Sequence, residues 1–520
     1  MIFTDPTFLF LALPVTFALF YGVRARFGKT AALGVLFLSS LAIYAPWGLH
    51  NLVLLVVSIL INFSVATYLL LIETKHSPTR RAVYAAGQCY NLLSLAWFKY
   101  TFVQSLYSHF TGRAFDADII AIPIGISFYT FQQASVLADA YNNDESVKIF
   151  VGKLNTLKAK VAGFLRYGFF ISFFPHMVIG PIAYLREIQP QVSAPGFGRF
   201  RSTNISVGLM LVGIGMFKKL VLADNLGVNA DPVFVQAAAG GALNPLSAWL
   251  GVFSYYAQLY FDFSGYSDMA LGLARMFGVR FPINFNSPLK SVGIVDFYRR
   301  WHMTLTRVIS RFLFSPLSLA GTRFSAARQL GTLQSRALGL WGPLLLNFEV
   351  IALWHGASLP FALFGLVHGS WYVLETEVRR SRLWKAWRER SPDGLRRVLG
   401  RALFVLPMAL TFAIFRSKSL AATGDLFSQL VTGSLAADRS MPTRRAVEML
   451  GIAFSIIYFL PSSVELLRRY RPGIMTYEST AYGPDIVWRP NWLWAAFWTF
   501  LILTSLYFVS RQQPFLYMGF

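Results

Sequence analysis

The sequence predicts an all-α polytopic membrane protein, and three observations support this fold class. Of its 520 residues 55% are hydrophobic and only 14% are charged, which gives a mean hydropathy of +0.49. Many apolar runs reach the length of about 17–25 residues that a helix needs to cross a bilayer. The 47 Lys and Arg residues, against 24 Asp and Glu, fall between these runs, as in membrane proteins with basic cytoplasmic loops. A soluble domain of this size would not need so much apolar surface.

The apolar runs divide the chain into predicted membrane helices and leave no separate soluble domain. They lie near residues 7–24, 31–48, 50–72, 83–106, 118–140, 161–183, 203–222, 245–275, 340–356, 358–378, 401–418, 447–465 and 491–511. Pro123 and Gly125 interrupt one run, and Pro175 and Gly180 interrupt another. Interrupted backbone survives at membrane depth only where protein or a cavity surrounds it, so some runs are predicted to be re-entrant or bent.

The basic residues predict how these helices are oriented. They follow the first, third and fifth runs, and the richest basic loop spans residues 379–397. If these loops are cytoplasmic and one run in the middle of the chain does not cross, both termini lie on the opposite side. The run from Phe8 to Val23 lacks the basic leader and cleavage site of a signal peptide, so we expect it to be retained. Residues 149–164 interleave apolar residues with lysines and predict an amphipathic helix on the cytoplasmic surface.

Two histidines are the strongest candidates for a functional site. His302 ends the segment FYRRWH at 297–302, and His355 lies in IALWHGA at 351–357, within a run that otherwise resembles a membrane helix. Ionisable groups at bilayer depth are costly and usually face a cavity or a partner. A neutral imidazole can act as a general base when another group orients it. The alternative for each is a buried histidine bonded to a neighbouring helix, and His368 is predicted to serve mainly in packing.

Residues 276–340 interrupt the series of simple spans, and two interpretations stay open for them. They are either a cytoplasmic loop with interfacial helices or a set of short helices that dip inward and carry His302 into the membrane interior. The aromatic neighbours Phe297 and Trp301 favour the second interpretation.

The run Tyr255–Ala274 carries an unusual number of polar residues. If it is helical, Gln258, Asp262 and Tyr266 share one face at i, i+4 spacing, while Asp268 lies on another. A charged Asp near the centre of a span costs roughly 2.5–3.5 kcal/mol. The polar residues are therefore predicted to face inward, either as a structural network between helices or in contact with substrate.

Several classes of function are excluded by what the sequence lacks. No HExxH motif and no pair of histidines at helical spacing is present, so no metal site is predicted. No Gly-rich phosphate loop is present, which argues against an ATP-driven pump. The single cysteine, Cys89, cannot form a disulfide within the chain. The basic charge is explained by membrane orientation rather than by binding of nucleic acid.

Motifs along nearly the whole chain resemble those of the membrane-bound O-acyltransferase (MBOAT) family, closest to the bacterial branch that contains the alginate O-acetylation membrane protein and, more distantly, to the D-alanyl transfer protein of teichoic acid modification. The motifs are IGISF (124–128), FFP (173–175), FDFSGYSDMALGLARMFG (261–278), FPINFNSPLKS (281–291), DFYRRWHMTLT (296–306), LWHGA (353–357), FR (415–416) and PFLY (514–517). The combination of RRWH and a later WHG is the most specific of these signals.

The resemblance implies a fold and a set of site residues. The fold would be a ring of tilted transmembrane helices around a central tunnel, with re-entrant and interfacial helices. The chain, 1–520, would be a single MBOAT domain with its catalytic core at about 120–380 and C-terminal transmembrane helices in 401–520. His355 would be catalytic and His302 a second important residue. Residues expected to contact substrate are Trp301, Arg299, Arg300, Asp262, Tyr266, Asp268, Asn284, Asn286 and Trp354.

The resemblance also implies a reaction, expected in the inner membrane of a bacterium. An acyl group, in the simplest case acetyl, would pass from a cytoplasmic thioester such as acetyl-CoA to a hydroxyl on the periplasmic side. No bound cofactor or metal is implied. The acceptor would be an exopolysaccharide or a periplasmic partner acyltransferase of SGNH type. Two alternatives stay open: D-alanyl, lipid or protein acylation within the same family, and, from another class, a polysaccharide or lipid transporter.

Overall fold

A computed structural model describes residues 1–72, 74, 77–111, 122–152, 155–433, 443–474 and 485–516. In these ranges the chain forms helices joined by turns and loops, with no β-strand. The predicted all-α class is confirmed. Residues 118–121 of the predicted span 118–140, and Tyr517 of the closing PFLY motif, lie outside the described ranges.

The described residues between 1 and 193 form nine α-helices. They are α1 Leu13–Tyr44, α2 Leu49–Leu71, α3 Pro78–Lys99, α4 Thr101–Thr111, α5 Ile126–Tyr141, α6 Glu145–Val151, α7 Leu157–Ser172, α8 Phe174–Met177 and α9 Leu185–Ser193. A π-helical turn, Phe8–Ala12, precedes α1. Gly28 has a φ of +87° inside α1 and kinks it, which accounts for the two runs predicted at 7–24 and 31–48.

The predicted amphipathic helix at 149–164 is wrong as a continuous element. Helix α6 ends at Val151 because Gly152 has a φ of +78°, a backbone conformation that favours glycine and does not continue an α-helix. Helix α7 then begins at Leu157, where the side chain of Thr156 accepts a hydrogen bond from the backbone of Ala159. The lysine and leucine at 153 and 154 lie outside the described residues.

The middle of the chain contains the longest buried helix and a series of short ones. They are α10 Ser202–Met216, α11 Asp224–Ala238, α12 Pro245–Met276, α13 Ile294–Tyr298, α14 Met303–Ile309, α15 Ser315–Ala327, α16 Thr332–Arg336, α17 Gly342–His355 and α18 Leu359–Arg380. π-helical turns at Phe217–Ala223, Ser310–Phe314 and Ala337–Trp341 join neighbouring helices. The short buried helices α13 and α14 place His302 inside the protein, which agrees with the inward-dipping interpretation of residues 276–340.

Helix α12 is the centre of the fold, and small residues let α10 approach it. A Cβ added to Gly215 would lie 2.5 Å from the carbonyl oxygen of Gly265, and one added to Gly208 would lie 2.6 Å from that of Gly272. Such contacts between backbones are typical of helices packed inside membranes, where small residues line the interface. Nearly every residue of α12 is buried.

The last part of the chain surrounds this centre. Its helices are α19 Arg382–Arg390, α20 Asp393–Arg416, α21 Leu420–Thr432, α22 Thr443–Phe459, α23 Ser463–Leu466 and α24 Trp492–Phe508. Thr4 donates a hydrogen bond of 2.8 Å to the side chain of Gln512, so the described ends of the chain lie together. The side of the membrane on which the termini lie stays a prediction.

Six helical segments of the described chain are long and apolar enough to cross a membrane. They are Phe8–Trp47, Leu49–Leu71, Ser202–Ala238, Thr332–His355, Asp393–Arg416 and Trp492–Arg511. Large apolar side chains on α24 are exposed, such as Leu503 at 62%, as expected for a surface that faces lipid. The chain is thus a multi-pass membrane protein, whereas the central tunnel stays a prediction.

Candidate active site

His302 is held at a sharp turn between α13 and α14. It has a φ of +44°, which is uncommon for a residue with a side chain and costs about 1–3 kcal/mol. Two backbone hydrogen bonds of 3.0 Å secure the turn, from Met303 to the carbonyl of Asn284 and from Asn286 to the carbonyl of Arg300. The FPINFN segment therefore acts as a support for the RRWH turn.

Asn284 also determines which nitrogen of the His302 ring carries the proton. Its Oδ1 accepts a hydrogen bond of 2.9 Å from the hydroxyl of Thr304 and lies 3.1 Å from Nδ1 of His302. Because this oxygen can only accept, Nδ1 of His302 donates, and in the neutral ring Nε2 carries the lone pair. The tautomer follows from the hydrogen-bond network rather than from an observed hydrogen.

His355 is the last residue of α17. Its ring lies 4.9 Å from the ring of Phe415 and 4.8 Å from that of Trp354. A Cβ on Gly356 would lie 2.8 Å from the ring of Phe361, so the glycine permits this close contact. His355 is 8% exposed and is therefore enclosed by protein.

The two histidines line the same small cavity. The cavity has a volume of about 30 Å³. Besides His302 and His355, its walls are formed by Leu259, Tyr298, Trp301, Leu305, Thr306, Ile351, Phe364, Phe412 and Phe415. This volume has room for about one or two water molecules. Apart from the two histidines, the lining residues that carry a polar side-chain group are Tyr298, Thr306 and Trp301, and the rest of the wall is apolar.

Trp354 packs against His355, and Lys99 packs against Trp354. The ring of Trp354 packs 6.0 Å from Phe128 and 6.3 Å from His302, and the ammonium of Lys99 lies 4.9 Å from its centroid. The hydroxyl of Tyr100 donates a 3.1 Å hydrogen bond to the carbonyl of Leu353. Lys99 and Tyr100 were not predicted from the sequence, although a lysine within the apolar run 83–106 is a signal that could have identified the first.

The two aspartates of α12 lie in ion pairs rather than at the histidine cavity. Asp268 contacts the ammonium of Lys218 at 2.7 Å and accepts a 2.7 Å hydrogen bond from the hydroxyl of Ser463. Asp262 contacts Lys219 at 2.7 Å. Neither aspartate lines the cavity, and these contacts favour the structural network among the two interpretations. Lys218 and Lys219 had not been singled out from the sequence.

The other predicted substrate residues take different positions. Trp301 lines the cavity and stacks on Phe297 at 5.3 Å. Tyr266 is buried away from the histidines and stacks on Phe3 at 4.7 Å. The side chain of Asn286 is buried, and its backbone N–H supports the RRWH turn. Arg300 pairs with Asp296 at 2.8 Å, whereas Arg299 is exposed. Substrate contact by these residues stays a prediction.

In the described part of the chain, no three His, Cys, Asp or Glu side chains lie close enough together to hold a metal ion. The site can instead perform proton transfer, because it gathers two imidazoles, a phenol and an alcohol in an enclosed space. In such a space hydrogen bonds and partial charges act more strongly than in water.

These features define a polytopic membrane protein with an enclosed histidine site inside its helices. The chain belongs to the membrane-bound O-acyltransferase (MBOAT) family, whose family model matches residues 83–382. The predicted family and enzyme class are confirmed, and the chain is an O-acyltransferase by family. Both His302 and His355 lie within the matched residues.

Relatives with assigned names support the same class. The chain is 36% identical to the peptidoglycan O-acetyltransferase of Helicobacter pylori over 383 residues, which cover 71% of this chain and 69% of that protein. It is 27% identical to the probable alginate O-acetylase of Pseudomonas syringae pv. tomato over an alignment of 569 positions, which covers 100% of both. It is also 27% identical to the teichoic acid D-alanyltransferase of Streptococcus thermophilus over 253 residues, 48% of this chain and 56% of that protein.

Proposed function

We propose that this protein transfers an acetyl group from a cytoplasmic thioester such as acetyl-CoA to a hydroxyl on the periplasmic side of a bacterial inner membrane. The acceptor is an exopolysaccharide or a periplasmic partner acetyltransferase of SGNH type that passes the group on. The observation that carries this proposal is the shared cavity of His302 and His355, within a chain whose relatives are named for O-acetylation.

In this reaction His355 acts as the general base. It takes the proton of the acceptor hydroxyl as the oxygen adds to the thioester carbonyl, whose π electrons move onto the carbonyl oxygen. When the tetrahedral intermediate collapses, the C=O bond forms again and the C–S bond breaks. The leaving thiolate then takes the proton from His355. The base is thereby regenerated, and no metal or redox partner takes part.

His302 is suited to orienting a group that donates a hydrogen bond. Since its Nδ1 donates to Asn284, its Nε2 is an acceptor and can receive a hydrogen bond from a second hydroxyl of the acceptor or from a water molecule, while the reacting hydroxyl gives its proton to His355. This geometry supports an orienting role more than stabilisation of an oxyanion, which requires a donor. The Asn284 contact keeps the ring in that state.

The donor's acyl group and its nucleotide place different demands on the protein. The cavity of about 30 Å³ is small, so side chains must move to admit even a short acyl group such as acetyl. The phosphates of CoA need positive charge at the entrance. Arg299, exposed three residues before His302, is better suited to this than Arg300, which is tied to Asp296.

The test uses purified protein with acetyl-CoA and an acceptor polysaccharide, together with the periplasmic fraction. Release of CoA and acetylation of the polymer are both measured, because a transporter would move its cargo without consuming thioester. His355→Ala should lower CoA release by about 10²–10⁴-fold, as expected for loss of a general base. His109→Ala, at an exposed histidine of α4, is the matched control and should keep full activity. Wild-type acetylation by His355→Ala at equal protein levels would disprove the assignment.

A further inference from the structure

A buried tyrosine and a buried histidine form a hydrogen-bonded pair beside the site described above. Tyr298 is the last residue of α13 and lines the cavity that holds His302 and His355. Its hydroxyl oxygen lies 2.7 Å from Nδ1 of His368 in α18. His368 is fully buried, and the ring of Phe364 lies 3.9 Å from its own. Packing alone, the role predicted for His368, does not account for this hydrogen bond.

The surroundings of His368 indicate which of its nitrogens carries the proton. Its Nε2 is buried and makes no hydrogen bond to any described residue. A buried N–H without an acceptor is rarer in proteins than a buried acceptor without a donor. The proton of the neutral ring is therefore placed on Nδ1, where the hydroxyl oxygen of Tyr298 can accept it.

This assignment determines what the Tyr298 hydroxyl can do. If Nδ1 of His368 donates, the oxygen of Tyr298 is the acceptor in that bond, and its own hydrogen must point elsewhere. On other sides the ring of Tyr298 meets aromatic carbon, with Phe348 at 4.7 Å. Because Tyr298 lines the cavity, we place this hydrogen on the cavity side. Tyr298 thus offers a hydrogen-bond donor to the cavity, where His302 offers an acceptor.

We propose that Tyr298 donates a hydrogen bond to the oxyanion of the acyl-transfer intermediate and that His368 is the positioning residue that aims this hydroxyl. The proposal rests on the proposed function. When the acceptor oxygen adds to the thioester carbonyl, the electron pair that moves onto the carbonyl oxygen is stabilised by the O–H of Tyr298. The phenol keeps its proton throughout, and the proton of the acceptor goes to His355 as before.

The first test compares two Tyr→Phe variants in the CoA-release assay. Tyr298→Phe keeps the ring and removes only the hydroxyl, so kcat should fall about 10²–10³-fold, the usual effect of losing one oxyanion donor. KM for acetyl-CoA should change little, because the interaction is made in the transition state. Tyr372→Phe is the matched control, because its ring belongs to the same aromatic cluster, 6.4 Å from that of Tyr298, but does not line the cavity. It should keep wild-type kcat.

The second test separates the role of His368 from simple packing. In His368→Asn the side-chain amide occupies the place of Nδ1 and can donate to Tyr298, whereas in His368→Gln it extends towards the place of Nε2. His368→Asn should keep much of the activity, and His368→Gln should resemble Tyr298→Phe. Thermal unfolding of each variant in detergent shows whether its loss of activity exceeds a loss of folded protein.

Three results would overturn the proposal. They are a wild-type kcat in Tyr298→Phe, an equal loss in Tyr372→Phe, or a rise in KM with unchanged kcat. Equal activity of His368→Asn and His368→Gln would overturn the role given to His368. If His355→Ala is inactive while Tyr298→Phe is fully active, only this inference fails. If His355→Ala is active, the proposed function itself fails.

Discussion

The ion pair between Lys218 and Asp268 allows a quantitative test of whether the polar face of α12 is structural. The two side chains are 2.7 Å apart and only 10% and 6% exposed, so water contributes little to their solvation. Removing one partner of such a pair leaves a buried charge without compensation and costs about 3–5 kcal/mol. Lys218→Met should therefore lower the free energy of unfolding by that amount, and Asp268→Asn by a similar one.

The double variant shows whether Asp268 belongs to a structural ion pair or binds substrate. Lys218→Met with Asp268→Asn removes both charges, and the new amide can still accept the hydrogen bond that Ser463 donates at 2.7 Å. Replacing a whole buried pair is often nearly neutral, so the double variant should be more stable than either single variant. Unfolding in detergent, followed at equal protein concentration, gives the three free energies. A double variant no more stable than the single variants would refute a structural pair. A stable double variant with a strongly raised KM would place Asp268 in substrate binding instead.

Three further predictions concern separate contacts. Asn284→Leu removes the acceptor that fixes the ring of His302 and should lower kcat, whereas Asn284→Asp keeps an acceptor and should retain more activity in the CoA-release assay. Lys99→Met should destabilise the packing of Trp354 by about 0.5–2 kcal/mol in thermal unfolding, and Lys99→Arg should not, because a guanidinium keeps the cation–π contact. Gly215→Ala should cost about 1–3 kcal/mol of folding stability because its Cβ meets the backbone of Gly265 at 2.5 Å, while Gly22→Ala, with nothing within 4 Å, should not destabilise the protein.

Much of the fold could be predicted from the sequence because hydrophobic length is a direct requirement of the bilayer. The predicted run 245–275 differs from the observed helix Pro245–Met276 by one residue at its C-terminal end. The prediction of one helix at 149–164 was wrong for a local reason. The apolar and basic residues have helical spacing, but the backbone conformation of Gly152 ends the first helix at Val151. A single left-handed residue overrides the periodicity of its neighbours.

The site was only partly predictable, and the missing parts depend on contacts between distant segments. His302 and His355 were recognised because each is an ionisable residue in apolar surroundings. Tyr298 was not recognised, because a tyrosine in an aromatic segment carries no such signal. Its hydrogen bond to His368 depends on the packing of α13 against α18. Lys218 and Lys219 were overlooked because their charge was attributed to loops, although both are buried against the aspartates of α12.

The distribution of charge in the fold explains why the site can use neutral groups. The acidic residues of α12 are matched by Lys218 and Lys219 outside the histidine cavity, so their charge is compensated where it stabilises helix packing. The cavity itself is walled by rings such as Trp301, Phe412 and Phe415. In the proposed reaction such aromatic walls limit the water available to hydrolyse a thioester, and they keep the local dielectric low, where a donor aimed at a developing oxyanion has its largest effect. A charged residue inserted into that wall, for example Phe412→Asp, should therefore abolish acyl transfer, and because it also destabilises the fold, CoA release is compared per amount of folded protein. If Phe412→Asp were folded and retained wild-type CoA release, the site would not depend on a dry, neutral cavity.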